Sequence, residues 1–414
     1  MAVVQPRTGF GRVETMRRSL ETIAALDFAV VGTITIDSHT RAGEYAVPLQ
    51  RLAAGEELNG YPLVSHSGEA TRAMLDGLYG PEFPVQVRHG TALPRRLFER
   101  LVEVGLDATE GGPVSYCLPY SRVPLAEAVA AWADSCRFLA GATEHGHVES
   151  FGGCLLGQLC PPSLLVAMSV LEGCFFRQQG LGHMSLSYAQ GTLDTQDRGA
   201  LQALRSLASA YLGDVDWHLV FYTYMGVFPR SRQGATRLIR DSARVARDAG
   251  CERLIVKTVS ESRQIPTVAD NVAALRLAAA ELATAPGLPG ALDDAFRQET
   301  EEEARGIIDA VLDLHPDVGA ALVAAFHRGL LDIPYCLHRD NRSTATGVLD
   351  DRGALVWGSV GNLPLPAASR SARTERLSSN ALYAMLNHVA HRYDSAAPEV
   401  PAPRAPAHPA RDRR

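Results

Sequence analysis

Met184-Ser185-Leu186-Ser187-Tyr188, a stretch from Gln196 to Leu212, Trp217-His218-Leu219-Val220-Phe221-Tyr222-Thr223-Tyr224, a stretch from Gly234 to Asp248, and Arg253-Leu254-Ile255-Val256 follow one another in order. The short segments are apolar, β-branched or aromatic runs, and Met184 to Tyr188 alternates in polarity. In the longer ones the apolar residues recur at a period of about 3.6. Strand and helix therefore alternate, and such repeats build a parallel sheet with helical crossovers. The same alternation runs toward the N-terminus. Candidate strands are Phe28–Ile36, Tyr61–Val64 and Pro84–Val87. Candidate helices are Glu14–Ala25, Glu69–Leu78, Leu93–Val104, Pro124–Ala140 and Ser163–Gln178, with Val268–Ala283 closing the series. About eight or nine such units in about 285 residues predict an α/β fold of the (β/α)8 TIM-barrel type. A doubly wound sheet is the alternative, but the first strand lacks a G-x-G-x-x-G turn.

After Pro286-Gly287-Leu288-Pro289-Gly290 the composition shifts. Residues 291–330 read as helical, with the acidic run Glu299–Glu303 as a solvated face. Residues 331–366 read as short strands and turns, and Ala372–Arg392 as a further helix. The expected organisation is a barrel over 1–285, an α+β extension packed on it over 286–394, and a disordered Pro- and Arg-rich tail over 395–414.

The chain has 414 residues, 40 Lys+Arg against 46 Asp+Glu, and a net charge of −6, which argues against a general nucleic-acid binder. No apolar run reaches the length of a membrane span; Leu164 to Leu171 is the nearest approach. The N-terminus lacks the apolar core of a signal peptide. The 7 Cys contain no C-x-x-C pair, which points to free buried thiols and a reducing, cytoplasmic setting. Of the cations, Lys257 is the one lysine and all others are arginine. Lysine and arginine are not interchangeable where a compact ammonium is needed, so Lys257 is singled out.

In a barrel of this kind chemistry sits at the C-terminal ends of the strands. There the sequence places Arg7, Arg41, Arg88, Glu110, Tyr116, Tyr120 and Lys257. Three guanidiniums converging on one mouth require an anion, and arginine suits bidentate carboxylate recognition. Glu110 on the same rim matches an ammonium, and the two tyrosines add hydroxyls. Together they describe a dicarboxylic amino acid as ligand. Gly90, Gly111 and Gly112 beside these positions suit tight turns.

Several motifs, in order, resemble one family. They are Val4-Gln5-Pro6-Arg7-Thr8-Gly9, Thr35-Ile36-Asp37-Ser38-His39-Thr40-Arg41, Leu58-Asn59-Gly60-Tyr61-Pro62, Gln86-Val87-Arg88-His89-Gly90-Thr91 and Glu110-Gly111-Gly112-Pro113-Val114-Ser115-Tyr116. Met225-Gly226-Val227-Phe228-Pro229, Val256-Lys257-Thr258 with Glu261, Leu331-Asp332-Ile333-Pro334 and Gly361-Asn362-Leu363-Pro364 continue the series. The set is similar to the large (epsilon) subunits of glutamate mutase, also called methylaspartate mutase.

The resemblance implies an adenosylcobalamin-dependent carbon-skeleton mutase that interconverts L-glutamate and L-threo-3-methylaspartate by radical fragmentation and recombination. It assigns Arg7, Arg41 and Arg88 to the substrate carboxylates, Glu110 to the ammonium, and Tyr116 and Tyr120 to further substrate contacts. Lys257 and Glu261 fall to the adenosine ribose. It places the cobalt ligand on a separate small cobalamin-binding subunit, and implies a dimer of this chain within a heterotetramer. The Asp37–Gly43 segment only superficially matches the cobalamin D-x-H-x-x-G motif, because its Gly is one residue late, so no metal ligand is assigned here. Departures from the family pattern are Tyr222-Thr223-Tyr224 in place of His-Gln-Trp, Ser187-Tyr188-Ala189-Gln190, Ser65-His66, and the stretch after Pro334. Two other readings fit the same residues: the same chemistry on a different amino acid, and a non-catalytic binding or assembly protein on a decayed barrel.

Overall fold

The computed structural model describes residues 2–152, 159–287, 290–370 and 378–395. Its strands are β1 (Val3–Pro6), β2 (Gly32–Thr35), β3 (Val85–Arg88), β4 (Ala108–Glu110), β5 (His147–Ser150), β6 (His183–Ala189), β7 (Asp216–Tyr222) and β8 (Arg253–Val256). All pair in parallel, each with its sequence neighbour, and β8 returns to pair with β1. A parallel bridge between Val4 and Val30, with the Val31 N–H donating to the Val4 carbonyl at 3.0 Å, closes the last gap. The sheet is thus the expected (β/α)8 barrel.

The helices between strands are α1 (Val13–Ala24), α2 (Ser38–Ala42), α3 (Val47–Ala53), α4 (Gly68–Leu75), α5 (Arg95–Glu103), α6 (Leu125–Ala142), α7 (Pro162–Gln178), α8 (Asp194–Tyr211) and α9 (Arg232–Asp248). α10 (Val268–Leu282) follows β8. Side-chain caps set several of the starts. Ser67 accepts from the Ala70 N–H and Ser231 from the Gly234 N–H, while Thr267 and Asp270 cap α10 reciprocally.

Two strand expectations change. Tyr61–Val64 is not a strand: Tyr61 makes one bridge to Ile36 and the chain then turns. Pro62 lacks the N–H that a ladder needs. β5, His147–Ser150, did not stand out in sequence because its inward residues are His147 and Glu149.

Beyond the barrel, α11 (Ala291–Leu312) lies against α7 and α8, and α12 (Val318–Arg328) against α6 and α7. α11 and α8 approach closely at Gly199, where a Cβ would stand 2.7 Å from the Asp293 carbonyl oxygen. β9 (Ala345–Leu349) and β10 (Leu355–Val360) form an antiparallel hairpin, and α13 (Ser379–Ser395) packs on α9. The acidic run is not wholly solvated. Glu303 is buried and accepts from Ser163 Oγ at 2.6 Å and Trp357 Nε1 at 3.1 Å, tying α7, α11 and β10 together. Cys117, Cys136, Cys160, Cys251 and Cys336 are buried free thiols, as expected. The tail from residue 396 lies outside the described residues.

Candidate active site

β3 and β4 end in Arg88 and Glu110, which are 4% and 1% exposed. Arg88 Nε donates to Glu110 Oε2 at 2.7 Å. The Tyr116 hydroxyl donates to Glu110 Oε1, and the Tyr222 hydroxyl lies 2.9 Å from Glu110 Oε2. The Arg88 guanidinium sits over the rings of Tyr222, at 5.2 Å, and Phe151, at 5.7 Å. Burial, and then the Glu110 charge, pushes both tyrosine hydroxyls well above their ordinary pKa. Both therefore remain hydrogen-bond donors at any physiological pH.

The loop after β4 needs its two glycines. Gly111 has φ +124, and a Cβ at Gly112 would stand 2.1 Å from the Glu172 carboxylate on α7. Glu172 accepts from the Val114 N–H at 3.1 Å, the Ser115 N–H at 2.9 Å and Ser115 Oγ at 2.9 Å. This buried carboxylate pins the loop that carries Tyr116 and Tyr120. Tyr120 is 45% exposed and packs edge-on against Tyr116 at 5.9 Å.

A second cluster lies where β8 meets β1. Arg7 Nη1 donates to Glu261 Oε1 at 3.2 Å, and Lys257 Nζ reaches the same oxygen at 3.3 Å. Lys257 is 5% exposed and stands 5.2 Å from the centroid of the Phe228 ring. Burial pulls its pKa down to about 8, opposed by Glu261 and reinforced by Arg7 and Arg88. Arg41 is exposed on α2, and its stem lies against the loop after β3, where a Cβ at Gly90 would be 2.9 Å from Arg41 Cδ.

The structure therefore gathers Arg88, Glu110, Tyr116 and Tyr120 in one group and Arg7, Lys257 and Glu261 in another. Arg41 stands on the adjoining loop. Glu110, the residue expected to meet an ammonium, is also engaged within the chain by Arg88, Tyr116 and Tyr222. Around the same strand ends, Arg7 Nε, Thr35 Oγ1, Arg88 Nη1, Thr223 Oγ1, the Tyr224 hydroxyl and Thr258 Oγ1 are buried without a hydrogen-bond partner among the described residues. Orphaned buried polar groups cost about 1–3 kcal/mol each. Their concentration at one end of the barrel marks a surface built for a polar ligand.

Sequence reading missed the groups beneath this mouth. Glu149 Oε2 accepts from Arg253 Nη2 at 2.6 Å, Gln86 Nε2 at 3.2 Å and Ser185 Oγ at 3.3 Å, and its Oε1 contacts the Tyr222 hydroxyl. The available signal was an acidic residue at an inward position of a buried strand. It required knowing first that β5 is a strand.

The family profile described as "Methylaspartate mutase E chain (MutE)" matches residues 1–385. The glutamate mutase epsilon subunit of Desulfitobacterium hafniense is 33% identical over 394 residues, covering 90% of this chain and 80% of that protein. Its counterpart in Haloarcula marismortui is 32% identical over 392 residues, 92% of this chain and 80% of the relative. That from Yersinia enterocolitica is 33% identical over 380 residues, at 87% and 78%. With a closed parallel barrel and polar groups gathered at its C-terminal mouth, the chain belongs to the methylaspartate mutase E-chain family and is the catalytic subunit of a mutase, an isomerase.

Proposed function

We propose that this chain interconverts L-glutamate and L-threo-3-methylaspartate by radical fragmentation and recombination, with adenosylcobalamin as cofactor. The observation that carries this reading is the mouth itself. Arg7, Arg88 and Lys257 face two carboxylates, Glu110 and Glu261, among unpartnered buried donors. That excess of positive charge suits a ligand with two carboxylates and one ammonium. Arg7, Arg41 and Arg88 hold the carboxylates, Glu110 the ammonium, and Tyr116 and Tyr120 the substrate's flank.

The residues at β8 also suit the cofactor's sugar. A buried ammonium that donates and a carboxylate that accepts complement a vicinal diol, and Thr258 Oγ1 beside them lacks a partner among the described residues. Lys257 and Glu261 are thus assigned to the adenosine ribose. When bound, adenosylcobalamin supplies the radical that takes hydrogen from substrate. The chain orients the carboxylates, holds Glu110 in place through Arg88, Tyr116 and Tyr222, and excludes water.

The cobalt ligand comes from a separate small cobalamin-binding subunit. Leu93, Tyr120, Val227 and Ile265 are exposed on loops that follow β3, β4, β7 and β8. Leu337, 93% exposed, neighbours the β4 loop through the bond from Cys336 Sγ to the Leu118 carbonyl. An apolar rim around a polar mouth supports a partner there. The full assembly is a heterotetramer built on a dimer of this chain, with 1–285 as the barrel and 286–394 as its packed extension. No helix among the described residues is long and apolar enough to cross a membrane, and a cytoplasmic location belongs to the same proposal.

Reconstitution tests this reading. The chain alone should be inactive; with adenosylcobalamin and a small cobalamin-binding partner, glutamate should yield 3-methylaspartate. A complex that binds cobalamin and turns over no glutamate overturns the substrate assignment. The same chemistry on a related amino acid is favoured by one observation: Tyr222, a departure from the family pattern, touches Glu110 directly. Product analysis across several amino acids separates the two.

A further inference from the structure

Tyr222 stands between two carboxylates, with its hydroxyl 2.9 Å from Glu110 Oε2 and in contact with Glu149 Oε1. A phenol carries one hydrogen. It serves one of these oxygens, and the other then faces a lone pair unless that carboxyl itself is protonated. The surroundings decide which. Each Glu110 oxygen already has another donor, Tyr116 on Oε1 and Arg88 Nε on Oε2. Glu149 uses Oε2 for Arg253, Gln86 and Ser185, and meets Tyr222 on Oε1.

The groups facing Glu149 come from five strands: Arg253 on β8, Glu110 on β4, Tyr222 on β7, Ser185 on β6, and Gln86 with Arg88 on β3. Burial raises the Glu149 pKa and the Glu110 charge reinforces the rise, while Arg253, the Tyr222 hydroxyl and Arg88 oppose it. Because Glu149 Oε1 meets no donor but Tyr222 among the described residues, while both Glu110 oxygens have donors of their own, Glu149 is the carboxyl with room for a hydrogen.

We propose that Tyr222 is a positioning residue in a relay of hydrogen bonds: Glu149 Oε1–H donates to the Tyr222 oxygen, and Tyr222 O–H donates to Glu110 Oε2. This order places one hydrogen in each of the two contacts. It holds Glu110 fixed at the mouth, where the function proposed above has it meet an ammonium; only that consequence rests on that reading. It also gives the tyrosine at this position a role that phenylalanine cannot fill.

Infrared difference spectroscopy on the full chain at neutral pH, without substrate or cofactor, tests the relay. The wild type minus Glu149→Gln spectrum should contain the C=O stretch of a protonated carboxyl, shifting down in heavy water. In Tyr222→Phe the carboxyl O–H loses its acceptor, so the band should move to higher frequency at undiminished area. Other buried carboxyls cancel in these differences. Absence of a carboxyl band in the first difference overturns the proposal, and so does a band unmoved in Tyr222→Phe. If Glu149→Gln fails to fold, the wild type minus Tyr222→Phe spectrum decides alone: a displaced pair of carboxyl bands supports the relay and a flat trace overturns it. No ligand takes part, so the outcome is independent of whether glutamate is the substrate.

Discussion

Lys257 is the one lysine among the 40 Lys and Arg residues. It is buried, shares Glu261 with Arg7 and stands by the Phe228 ring. Its pKa of about 8, against 10.5 in the unfolded chain, means that holding it charged costs on the order of 3 kcal/mol. The sign follows from the depression. Below pH 8 the cost is fully present, and between about 8 and 10.5 the unfolded chain binds the extra proton, so stability recovers as pH rises. Lys257→Met should therefore raise the melting temperature at pH 7, since Glu261 keeps Arg7 as its cation, and the advantage should shrink above pH 8. A variant no more stable than wild type at pH 7 contradicts the assigned cost. Lys257→Arg keeps the charge but replaces a compact ammonium with a planar fork in a filled space. It should weaken adenosylcobalamin use in the reconstituted enzyme, read as a raised cofactor concentration at half-maximal rate.

Among the elements, the β4–α6 loop shows how the scaffold controls the site. Glu172 on α7 receives three donors from Val114 and Ser115, and the carboxylate fills the space that a side chain at Gly112 would need. Burial raises its pKa from 4.5 to about 7, only partly countered by those donors. A raised carboxyl contributes stability that is complete below the unfolded pKa and lost as pH rises through about 7. Glu172→Gln removes this titration. Its melting temperature should change less than that of wild type between pH 5 and 8, and parallel curves would show that Glu172 does not titrate there.

The helices flanking this loop were legible in sequence because α6 and α7 are long and their apolar spacing is sustained. Short β5 was not, because His147 and Glu149 occupy inward positions where an apolar residue would have announced a strand. The rim residues were legible because strand ends fall at fixed places in a barrel. Glu149, Glu172 and the role of Tyr222 were not, since a contact between residues 73 or 112 positions apart leaves no local pattern.

At the scale of the whole molecule, the pleat turns the barrel into a polar column. Alternate residues share a face of a strand, so Gln86 with Arg88, His147 with Glu149, and Arg253 with Lys257 line one interior from base to mouth. Most barrels fill this space with branched apolar side chains; here Gln5, Thr33, Gln86, Glu149, Ser185 and Arg253 bond to one another instead. Below them the rings of His147 and His218 stack at 5.4 Å. Burial, then the neighbouring His218 and Arg253, holds the His147 pKa well below its ordinary value, and burial with Arg253 lowers His218 to about 4. Between about pH 6.5 and 4 the unfolded chain binds protons that the folded barrel refuses, so these groups make stability fall as pH falls. A closed sheet has no edge at which to fray, so the effect should appear in the main cooperative transition. His218→Gln keeps a polar side chain that never charges. Whatever its melting temperature at pH 7, its position relative to wild type should improve at pH 5, because the raised carboxyls are common to both proteins and cancel. Calorimetry at the two pH values decides: an unchanged gap would mean that the histidine stack is not where the barrel's acid sensitivity lies.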